Sequence, residues 1–369
     1  MKQSIFIEAK VFTGEFQGSR TYLKELYLEA VNRNPNHLFI FASLETEILN
    51  FHFGHLSNVR IIKYRSKSSL FRFLIEIPWL IRSLGCSYAH FQYVIPIIRS
   101  RGCKYLVTIH DILFLDYPHY FPKFYSEKRK YLFNYSARNS DYLLTVSEYS
   151  KQRISDVFKI PGTRILITPN GVSDTFLNCR VAKEKSAEYI FEKYQVKEFL
   201  LYVSRIEERK NQHLLLDWYA VNKMWSLGYS LVFIGNDTFN SRFDSLISSL
   251  EVDAKESIKW FSEMSDDDLL HFYNAAKCFI YPSKAEGFGI PVLEAAVLET
   301  PVVCSDKTAM REFDFFDLKF DPDNIEDFHR VLDLALTTGT GDTAVIRKEI
   351  LLRYTWDNAA KVITNILSS

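Results

Sequence analysis

The chain has 369 residues, of which 47% are hydrophobic and 24% are charged, and its formal net charge is zero. This composition is ordinary for a globular protein, and the length favours two domains, because a single hydrophobic core rarely grows beyond about 250–300 residues. The N-terminus lacks an apolar signal core, and no uncharged apolar run approaches the roughly 20 residues of a membrane-spanning helix. We therefore expect a cytoplasmic protein that is at most peripheral to a membrane.

The zero net charge hides an asymmetry along the chain. Residues 1–180 contain 24 Lys and Arg against 14 Asp and Glu, whereas residues 181–369 contain 21 against 31. A basic first half indicates an anionic partner, such as a membrane surface, a phosphate-bearing substrate or a nucleic acid, although drift in surface composition would give the same counts. No recognition motif supports a nucleic-acid partner, so none is expected.

The five cysteines lie far apart, at positions 86, 103, 179, 278 and 304, and no two have the Cys-x-x-Cys spacing of a metal knuckle. Their odd number and scatter favour free thiols in a reducing compartment. Neither a cysteine-based metal site nor a disulfide framework is therefore expected.

Short apolar runs alternate with amphipathic stretches along the whole chain. Eleven runs are strand-like: Ser4–Ile7, His37–Ala42, Val59–Lys63, Tyr105–Ile109, Tyr142–Val146, Ile165–Thr168, Phe199–Val203, Ser230–Ile234, Ser257–Phe261, Cys278–Tyr281 and Val302–Cys304. Many are apolar at successive positions, as in parallel strands that are covered on both faces. Helical patterns extend over Thr21–Asn32 and over Ser147–Phe158, where Ser147 is in position to cap the helix. This alternation predicts parallel α/β domains.

A domain boundary is predicted directly after Pro169–Val172. Pro, Asn and Gly cluster there, the charge balance changes nearby, and a new series of strands and helices begins at Phe199. Neither half contains an internal repeat or a low-complexity segment.

The segment 285–303 has the strongest chemical signal. A strand-like run leads into a loop with Glu286 and two glycines, and Pro291 suits the first turn of a helix that contains Glu294. Glycines let the backbone approach a ligand, N–H groups at a helix start bind phosphate or sugar oxygens, and two carboxylates accept hydrogen bonds from vicinal hydroxyls. The pattern indicates an anionic, polyhydroxylated ligand. The alternative is a strand-to-helix turn with surface glutamates.

Glu286 to Glu294 matches the Glu-x7-Glu motif of the family-4 retaining glycosyltransferases, which have the two-domain GT-B fold. Other segments match landmarks of that family in order and spacing: Val107–Asp111, Thr145–Glu148, Thr168–Val172, Leu201–Arg205, Lys210–Asn211, Phe233–Gly235, Tyr281–Ser283 and Tyr354–Trp356. Each match is weak alone, but the ordered set spans nearly the whole chain. The chain therefore resembles this family, and in particular its mannosyltransferase-like members.

The resemblance implies an α/β fold of the GT-B type, with two Rossmann-like parallel-sheet domains that face each other across a cleft. An acceptor-side domain is expected at residues 1–175 and a nucleotide-sugar-binding domain at residues 176–355. A final helix at residues 356–369 is expected to pack back toward the first domain.

Arg205 and Lys210 are the two cations that the resemblance assigns to the donor diphosphate. A physical role follows independently, because negative charge grows on the leaving phosphate as the sugar bond breaks, and cations aimed there stabilise the transition state more than the ground state. Arg can bind two oxygens with its planar fork, whereas Lys supplies a compact charge. Either residue alone would more often be a solvated surface cation.

The resemblance assigns four catalytic residues, namely His110, Arg205, Lys210 and Glu286. His110 would contact the donor sugar, although an isolated histidine is more often a core or turn residue. Glu286 would bind sugar hydroxyls and Glu294 the ribose hydroxyls. The remaining donor contacts implied by the family are Gly18, Gly287, Phe288, Gly289, Val292 and Leu293.

The acidic run Asp266–Asp268 invites a metal hypothesis, because metal-dependent glycosyltransferases use an Asp-x-Asp pair. Ser265 before it and Leu269 after it instead predict a capped helix start, where the helix dipole favours anions. The family that the chain resembles also needs no metal for its chemistry. We therefore expect neither a metal site nor any other cofactor.

Two positions depart from the family pattern. Glu299 stands where a glycine usually ends the motif helix, which predicts a turn that is built differently. Trp260 stands where a strand usually ends in glycine near the donor base. Both departures concern the base pocket, and neither removes the phosphate or sugar contacts.

The segment Lys123–Arg138 mixes basic and aromatic residues. It fits an interfacial helix on anionic lipid, and it fits equally a half-buried domain helix with a solvated basic face. Both interpretations stay open at the level of sequence.

The predicted function is the retaining transfer of a sugar from a nucleotide-diphosphate donor, with GDP-mannose as first choice, to a saccharide or lipid-linked oligosaccharide acceptor. The setting would be bacterial surface polysaccharide synthesis of the O-antigen or capsule type. Two alternatives are a nucleotide-sugar epimerase of the GT-B fold and a non-catalytic nucleotide-sugar-binding protein. A dehydrogenase is disfavoured, because no Gly-x-Gly-x-x-Gly follows the first strand.

Overall fold

A computed structural model describes residues 3–14, 18–121, 123–237, 243–339 and 341–369, except for the side chains of residues 123–125. The chain divides into two compact units. Unit 1 comprises residues 1–171 together with 355–369, and unit 2 comprises residues 172–354.

Unit 1 is built on a parallel sheet of seven strands in the order β3-β2-β1-β4-β5-β6-β7. The strands are β1 (Ser4–Glu8), β2 (Leu38–Ser43), β3 (Val59–Lys63), β4 (Tyr88–Gln92), β5 (Lys104–Thr108), β6 (Tyr142–Thr145) and β7 (Ile165–Ile167). The helices are α1 (Gly18–Arg33), α2 (Glu47–Phe53), α3 (Ser69–Phe71), α4 (Ile77–Ser83), α5 (Leu113–Asp116), α6 (Lys123–Asn139) and α7 (Glu148–Phe158). A π-helical turn, Arg72–Glu76, joins α3 directly to α4.

Unit 2 has a parallel sheet of six strands in the order β10-β9-β8-β11-β12-β13. The strands are β8 (Glu198–Val203), β9 (Tyr229–Ile234), β10 (Ile258–Phe261), β11 (Cys278–Tyr281), β12 (Val302–Ser305) and β13 (Lys319–Phe320). The helices are α8 (Asp174–Leu177), α9 (Lys183–Tyr194), α10 (Gln212–Val221), α11 (Phe243–Ser248), α12 (Val252–Ser257), α13 (Asp266–Ala275), α14 (Ile290–Val297), α15 (Ile325–Thr338) and α16 (Thr343–Arg353).

The last helix, α17 (Trp356–Ser368), belongs to unit 1 and packs along α1. Arg33 on α1 forms an ion pair with Asp357, and the Asn34 side-chain amide donates to the Thr364 hydroxyl at 3.0 Å. Unit 1 is therefore assembled from two separate stretches of the chain.

The helices that follow β3, β5 and β6 cover one face of the unit 1 sheet. Ile77 and Ile81 of α4, Phe133 of α6 and Ile154 of α7 share one apolar cluster with strand residues such as Val107. Right-handed crossovers in one direction along a parallel sheet put their helices on the same face. The stretch 69–83 and α6 are therefore members of one helical layer.

Two strands of the structure, β4 and β13, were not predicted from the sequence. The strand β4 is buried at all five positions in the middle of its sheet, although it contains His90 and Gln92. The hydroxyls of Tyr27 and Thr108 lie 2.7 and 2.8 Å from the two ring nitrogens of His90, which satisfies its polarity there. The strand β13 has only two residues, too few for any periodicity. Each end of the other eleven strands lies within one residue of its predicted position.

Both predicted helix caps are present. The Ser147 hydroxyl accepts a hydrogen bond from the Ser150 backbone N–H at 3.1 Å, and the Ser265 hydroxyl accepts one from Asp268 at 3.1 Å. The acidic run at 266–268 therefore forms the first turn of α13, as the capped-helix interpretation predicts.

The prediction of an altered turn at Glu299 is wrong. Glu299 itself adopts the left-handed conformation, with φ of 60°, and its N–H donates to the Ala296 carbonyl at 3.0 Å. The Thr300 N–H donates to the Ala295 carbonyl at 3.2 Å, which completes the usual Schellman ending of a helix. A glutamate thus occupies the glycine position of an ordinary turn, where its Cβ is strained.

Trp260 braces the end of a neighbouring strand. Its indole N–H donates to the Gly235 carbonyl at 2.8 Å, and its ring packs edge-on against Phe243. Gly235 has φ of 144°, and a Cβ at this position would lie 2.0 Å from the Ser204 carbonyl oxygen. The close approach of two backbone segments therefore requires glycine at the end of β9.

The basic and aromatic segment Lys123–Arg138 forms α6. Phe133 and Ala137 are buried on the sheet side, whereas Lys128 and Lys130 are exposed on the other side. Among the described residues, no helix has both the length and the apolar character needed to cross a bilayer.

Candidate functional site

The predicted site residues of unit 2 follow two neighbouring strands in the middle of its sheet. Arg205 and Lys210 follow β8, and Glu286 follows β11, which pairs with β8. From β8 the chain continues outward through β9 to β10, and it then crosses back to β11 and continues to the opposite edge. Such a reversal leaves a crevice at the carboxyl ends of the strands, where open α/β sheets bind their ligands.

Lys210 and Glu286 form a buried ion pair. The Lys210 Nζ atom lies 2.6 Å from Glu286 Oε1 and 3.0 Å from the Tyr281 hydroxyl, which donates to the same Oε1 at 2.9 Å. The two charged side chains are only 8% and 9% exposed. Burial alone would raise the pKa of Glu286, but Lys210 and Arg209 outweigh this effect and hold the pKa at about 2. The carboxylate is therefore charged at neutral pH, and the ammonium keeps a third N–H that can donate to a ligand.

Two arginines extend this cluster toward solvent. Arg209 donates to the Ala285 carbonyl at 2.8 Å, and its Nη1 lies 3.5 Å from Glu286 Oε2. Glu207 bridges the two arginines, with one oxygen 2.9 Å from Arg209 Nε and the other 2.9 Å from Arg205 Nη2. Arg205 is the most exposed member, at 43%. With Lys210, three cations face two carboxylates, so the cluster has one positive charge in excess and suits an anion.

The loop after Glu286 follows β11 at this crevice, and its residues 287–289 are buried. Gly289 has φ of 112°, and a Cβ there would come within 3.1 Å of the Met310 side chain, so glycine is needed. Pro291 lies in the first turn of α14, as predicted, and in the same turn the Val292 N–H donates to the Gly289 carbonyl at 3.3 Å. A helix start at this place favours phosphate or sugar oxygens as ligands.

Three predicted donor contacts have buried side chains. Phe288 packs edge-on against the rings of Phe313 and Tyr354, while Val292 and Leu293 are fully buried on α14. These three residues can therefore contact a donor only through their backbone.

Glu294 lies on α14 and is partly buried. Its Oε2 accepts a hydrogen bond from the Tyr273 hydroxyl at 3.0 Å. Burial raises the pKa of Glu294 to about 7, opposed by the Tyr273 hydrogen bond and assisted by the charge of Asp266. At neutral pH this carboxyl is divided between its neutral and ionised forms.

In unit 1, His110 is buried beyond the end of β5. Its Nε2 lies 2.8 Å from Oε1 of Gln92, and its ring meets Tyr22 edge-on with centroids 4.7 Å apart. Burial lowers the pKa of His110 to about 3, so the ring is neutral at physiological pH. With Gln92 in this orientation, Nε2 is the donor and Nδ1 remains an acceptor.

Gly18 is the first residue of α1, and a Cβ added there would meet no atom within 4 Å. Arg20 donates to the carbonyls of Val11 at 3.0 Å and Gly14 at 2.5 Å, so it braces the loop before α1. Residues 15–17, which directly precede Gly18, lie outside the described residues.

Five residues that organise these contacts were not predicted as site residues: Gln92, Glu207, Arg209, Tyr273 and Tyr281. Glu207 and Arg209 are in the same loop as Lys210, and the density of charged residues in that loop was the available signal. No sequence signal pointed to Gln92, because β4 itself was not predicted.

Two parallel α/β units, each with candidate residues beyond the carboxyl ends of inner strands, define the GT-B class of glycosyltransferase fold. A glycosyltransferase from Rickettsia africae has a TM-score of 0.75 at 17% identity, over 99% of this chain and 97% of its own. HepE from Anabaena, solved with UDP-glucose, has a TM-score of 0.77 at 15% identity, over 99% of both chains.

The family models agree with the fold in both units. The Glycosyltransferase Family 4 model matches residues 16–176, and the Glycosyl transferases group 1 model matches residues 185–348. The chain belongs to this family of glycosyltransferases.

Its relatives include two mannosyltransferases. O-antigen chain mannosyltransferase B of Escherichia coli is 32% identical over 211 residues, which are 56% of this chain and 54% of that protein. O-antigen chain mannosyltransferase RfbU of Salmonella typhimurium is 27% identical over 234 residues, which are 63% of this chain and 58% of that protein. The chain thus spans somewhat more than half the length of these relatives.

Proposed function

We propose that this chain is a retaining hexosyltransferase of bacterial surface polysaccharide synthesis. It would transfer a sugar from a nucleoside diphosphate donor, with GDP-mannose as first candidate, to a saccharide or lipid-linked oligosaccharide. The observation that carries the proposal is the buried Lys210–Glu286 pair, with Arg205 and Arg209 beside it, at the carboxyl ends of β8 and β11. The names of the O-antigen mannosyltransferase relatives support the choice of sugar and acceptor.

In this proposal the cations hold the donor diphosphate. Arg205 and Lys210 bind its oxygens and stabilise the charge that grows as the glycosidic bond breaks. Glu286 keeps Lys210 charged and oriented, and together with the backbone of residues 287–289 it contacts the sugar hydroxyls. Glu294 in its ionised form accepts hydrogen bonds from the ribose hydroxyls.

Gly18 and His110 of unit 1 complete the proposed set. A glycine at the first residue of α1 leaves the backbone N–H groups of the helix start open to phosphate. His110 is neutral, so it would exchange hydrogen bonds with sugar hydroxyls and would not act as a cation.

Retention of configuration would follow from attack on the face that the leaving group departs from. The acceptor hydroxyl oxygen bonds to the anomeric carbon as the bond to the diphosphate breaks, and an oxygen of the departing phosphate takes the hydroxyl proton. Because Arg205, Arg209 and Lys210 place positive charge where the diphosphate would bind, we propose that the step needs no metal. Turnover should be unchanged by EDTA, and a loss that Mg²⁺ restores would contradict this part.

A thermal-shift screen against GDP-mannose, UDP-glucose and dTDP-glucose tests the donor, because a ligand that binds only the folded state raises its melting temperature. GDP-mannose should give the largest shift in the wild type and little or none in Lys210→Ala. Proton NMR of the saccharide product then gives the anomeric configuration. Wild-type turnover by Lys210→Ala would overturn the assignment of the site.

The acceptor suggests where the enzyme works. A lipid-linked oligosaccharide is carried by a membrane, and the basic first half of the chain suits the anionic inner face of a cell membrane. We therefore propose a cytoplasmic enzyme in peripheral contact with that surface.

A further inference from the structure

Unit 1 exposes an apolar stripe along the continuous helical stretch 69–83. Leu70, Phe71, Ile75 and Trp79 are between 46% and 70% exposed. Single exposed apolar residues are ordinary on protein surfaces. Here the last three recur every four residues, so they lie on one side of the helix and form a continuous stripe.

Two buried charged residues keep this stripe turned toward solvent. The Arg72 guanidinium donates to the carbonyls of Ser66 at 3.0 Å and Lys67 at 2.8 Å. Glu76 accepts from the backbone N–H groups of Arg65 at 2.6 Å and Ser66 at 3.2 Å. Both belong to the π-helical turn and are almost fully buried. Because these bonds fix the rotation of the helix, the apolar side chains cannot turn into the core.

The loop after β4 continues the same surface. Ile97 and Ile98 are more than half exposed, and the Ser100 hydroxyl donates to the Pro78 carbonyl at 3.0 Å, which ties this loop to α4 beside Trp79. We call the six side chains Leu70, Phe71, Ile75, Trp79, Ile97 and Ile98 the apolar face.

Basic residues flank the apolar face along the chain. Besides the buried Arg72, residues 60–104 contain eight Lys and Arg but a single acidic residue, Glu76, which is buried and bound to backbone N–H groups. The helix α6, in the same helical layer, adds the exposed side chains of Lys128 and Lys130. Lys and Arg side chains near an anionic bilayer are attracted to its phosphates, and Trp prefers the boundary between headgroups and acyl chains.

We propose that the apolar face docks on an anionic lipid bilayer. Ile75, Trp79 and the loop isoleucines enter the boundary between headgroups and acyl chains, and the flanking lysines and arginines bind lipid phosphates. The stretch 69–83 and the loop after β4 thus provide the apolar contact, and α6 adds charge and the exposed ring of Tyr131. The inference rests on the proposed function, since a lipid-linked acceptor is embedded in such a bilayer.

The test compares vesicle binding by the wild type and two paired variants of the full chain. Ile75→Ser with Trp79→Ser removes the centre of the apolar face. Val221→Ser with Leu227→Ser is the matched control, because these unit 2 residues are 73% and 66% exposed and lie outside the apolar face. Wild type and control should sediment with vesicles that contain phosphatidylglycerol, and the first variant should bind at least about tenfold more weakly.

Trp79 also supplies an internal probe. The other four tryptophans are buried or half-buried, so a blue shift of emission on vesicle binding that disappears in Trp79→Phe reports entry of this side chain into lipid. Emission that stays unshifted while the protein sediments would overturn the insertion of Trp79.

Three other results would overturn the proposal. They are unchanged binding by the Ile75→Ser, Trp79→Ser variant, equal binding to pure phosphatidylcholine vesicles, and a wild-type dimer in sedimentation velocity that this variant splits. The last would assign the apolar face to contact between copies of the chain.

A GDP-mannose thermal shift equal to that of the wild type shows that the Ile75→Ser, Trp79→Ser variant is folded and that its donor site is intact. Wild-type turnover by Lys210→Ala would instead refute the proposed function and leave the vesicle result standing.

Discussion

At the scale of single residues, the site consists of charges that stabilise one another away from water. Lys210 and Glu286 are both buried, so each is tolerated only because the other is 2.6 Å away and Tyr281 completes the hydrogen bonds. Sequence reasoning identified both residues from motif positions. It could not identify their direct contact, because they are 76 residues apart and meet only through the pairing of β8 with β11.

Removing one member of this pair should lower the free energy of unfolding more than removing both charges does. Lys210→Ala leaves the Glu286 carboxylate buried with only Arg209 nearby, so the free energy of unfolding of unit 2 should fall by about 3 kcal/mol. The double variant Lys210→Met with Glu286→Gln has no unpaired charge and should recover most of that loss in urea denaturation, while turnover stays abolished. Equal losses in the single and the double variant would contradict the ion-pair account.

The carboxyl of Glu294 should make donor binding depend on pH. Its pKa is raised to about 7, so it is mostly neutral at pH 6 and mostly ionised at pH 8. If the ionised form accepts the ribose hydroxyls, the affinity for GDP-mannose in calorimetry should rise several-fold from pH 6 to pH 8. Glu294→Gln should bind more weakly at pH 8 and show little change over this range. An equal pH dependence in this variant would assign the titration to another group.

At the scale of elements, runs of successive apolar residues allowed most strands of the fold to be predicted from the sequence. Parallel strands covered on both faces need apolar residues at successive positions, and eleven of thirteen strands have that signal. The strand β4 lacks it, because His90 and Gln92 are accommodated by hydrogen bonds to residues that are distant in sequence. The helix caps were equally readable, since Ser147 and Ser265 act on N–H groups three residues away.

The end of α14 offers a stability test at this scale. Glu299 is held at φ of 60°, where a Cβ costs about 1–2 kcal/mol, while glycine costs about 0.5–1 kcal/mol in the unfolded chain. Glu299→Gly should therefore raise the free energy of unfolding by about 0.5–1 kcal/mol, measured as a higher melting temperature. Glu299→Ala keeps a Cβ and should give no such gain. A gain in the alanine variant as large as in the glycine variant would show that the charge of Glu299, and not its backbone, is the strained feature.

At the scale of the whole molecule, the two units differ in how the chain builds them. Unit 2 is one continuous stretch, 172–354, and contains the charge cluster and the loop at residues 287–289. Unit 1 needs α17 from the far end of the sequence, because this helix buries apolar residues such as Trp356, Ile363 and Leu367 within unit 1. The stability of unit 1 therefore depends on residues that follow unit 2 in sequence.

Deleting residues 355–369 should selectively destabilise unit 1. Each large apolar side chain of α17 contributes about 1.5–3 kcal/mol when buried, so the total loss should exceed about 5 kcal/mol. Limited proteolysis should then degrade unit 1 and leave a protected fragment close to residues 172–354. Removal of the exposed Ser368 and Ser369 alone is the matched control and should leave the digestion pattern unchanged. A deletion variant that resists protease along its whole length would show that α17 is dispensable.

Local sequence patterns suffice to predict most of the elements and the family, because apolar runs, caps and turn residues act over short distances and the ordered motifs need no coordinates. The tertiary structure alone decided which charges meet. Arg209 and Lys210 reached Glu286 only when β8 and β11 paired, and Gln92 reached His110 only through a strand with no apolar signal. It also decided that Arg72 and Glu76 turn inward and leave Trp79 in solvent. Local patterns fix what each segment becomes, whereas contacts between distant segments depend on strand order and helix rotation, which only the packed chain specifies.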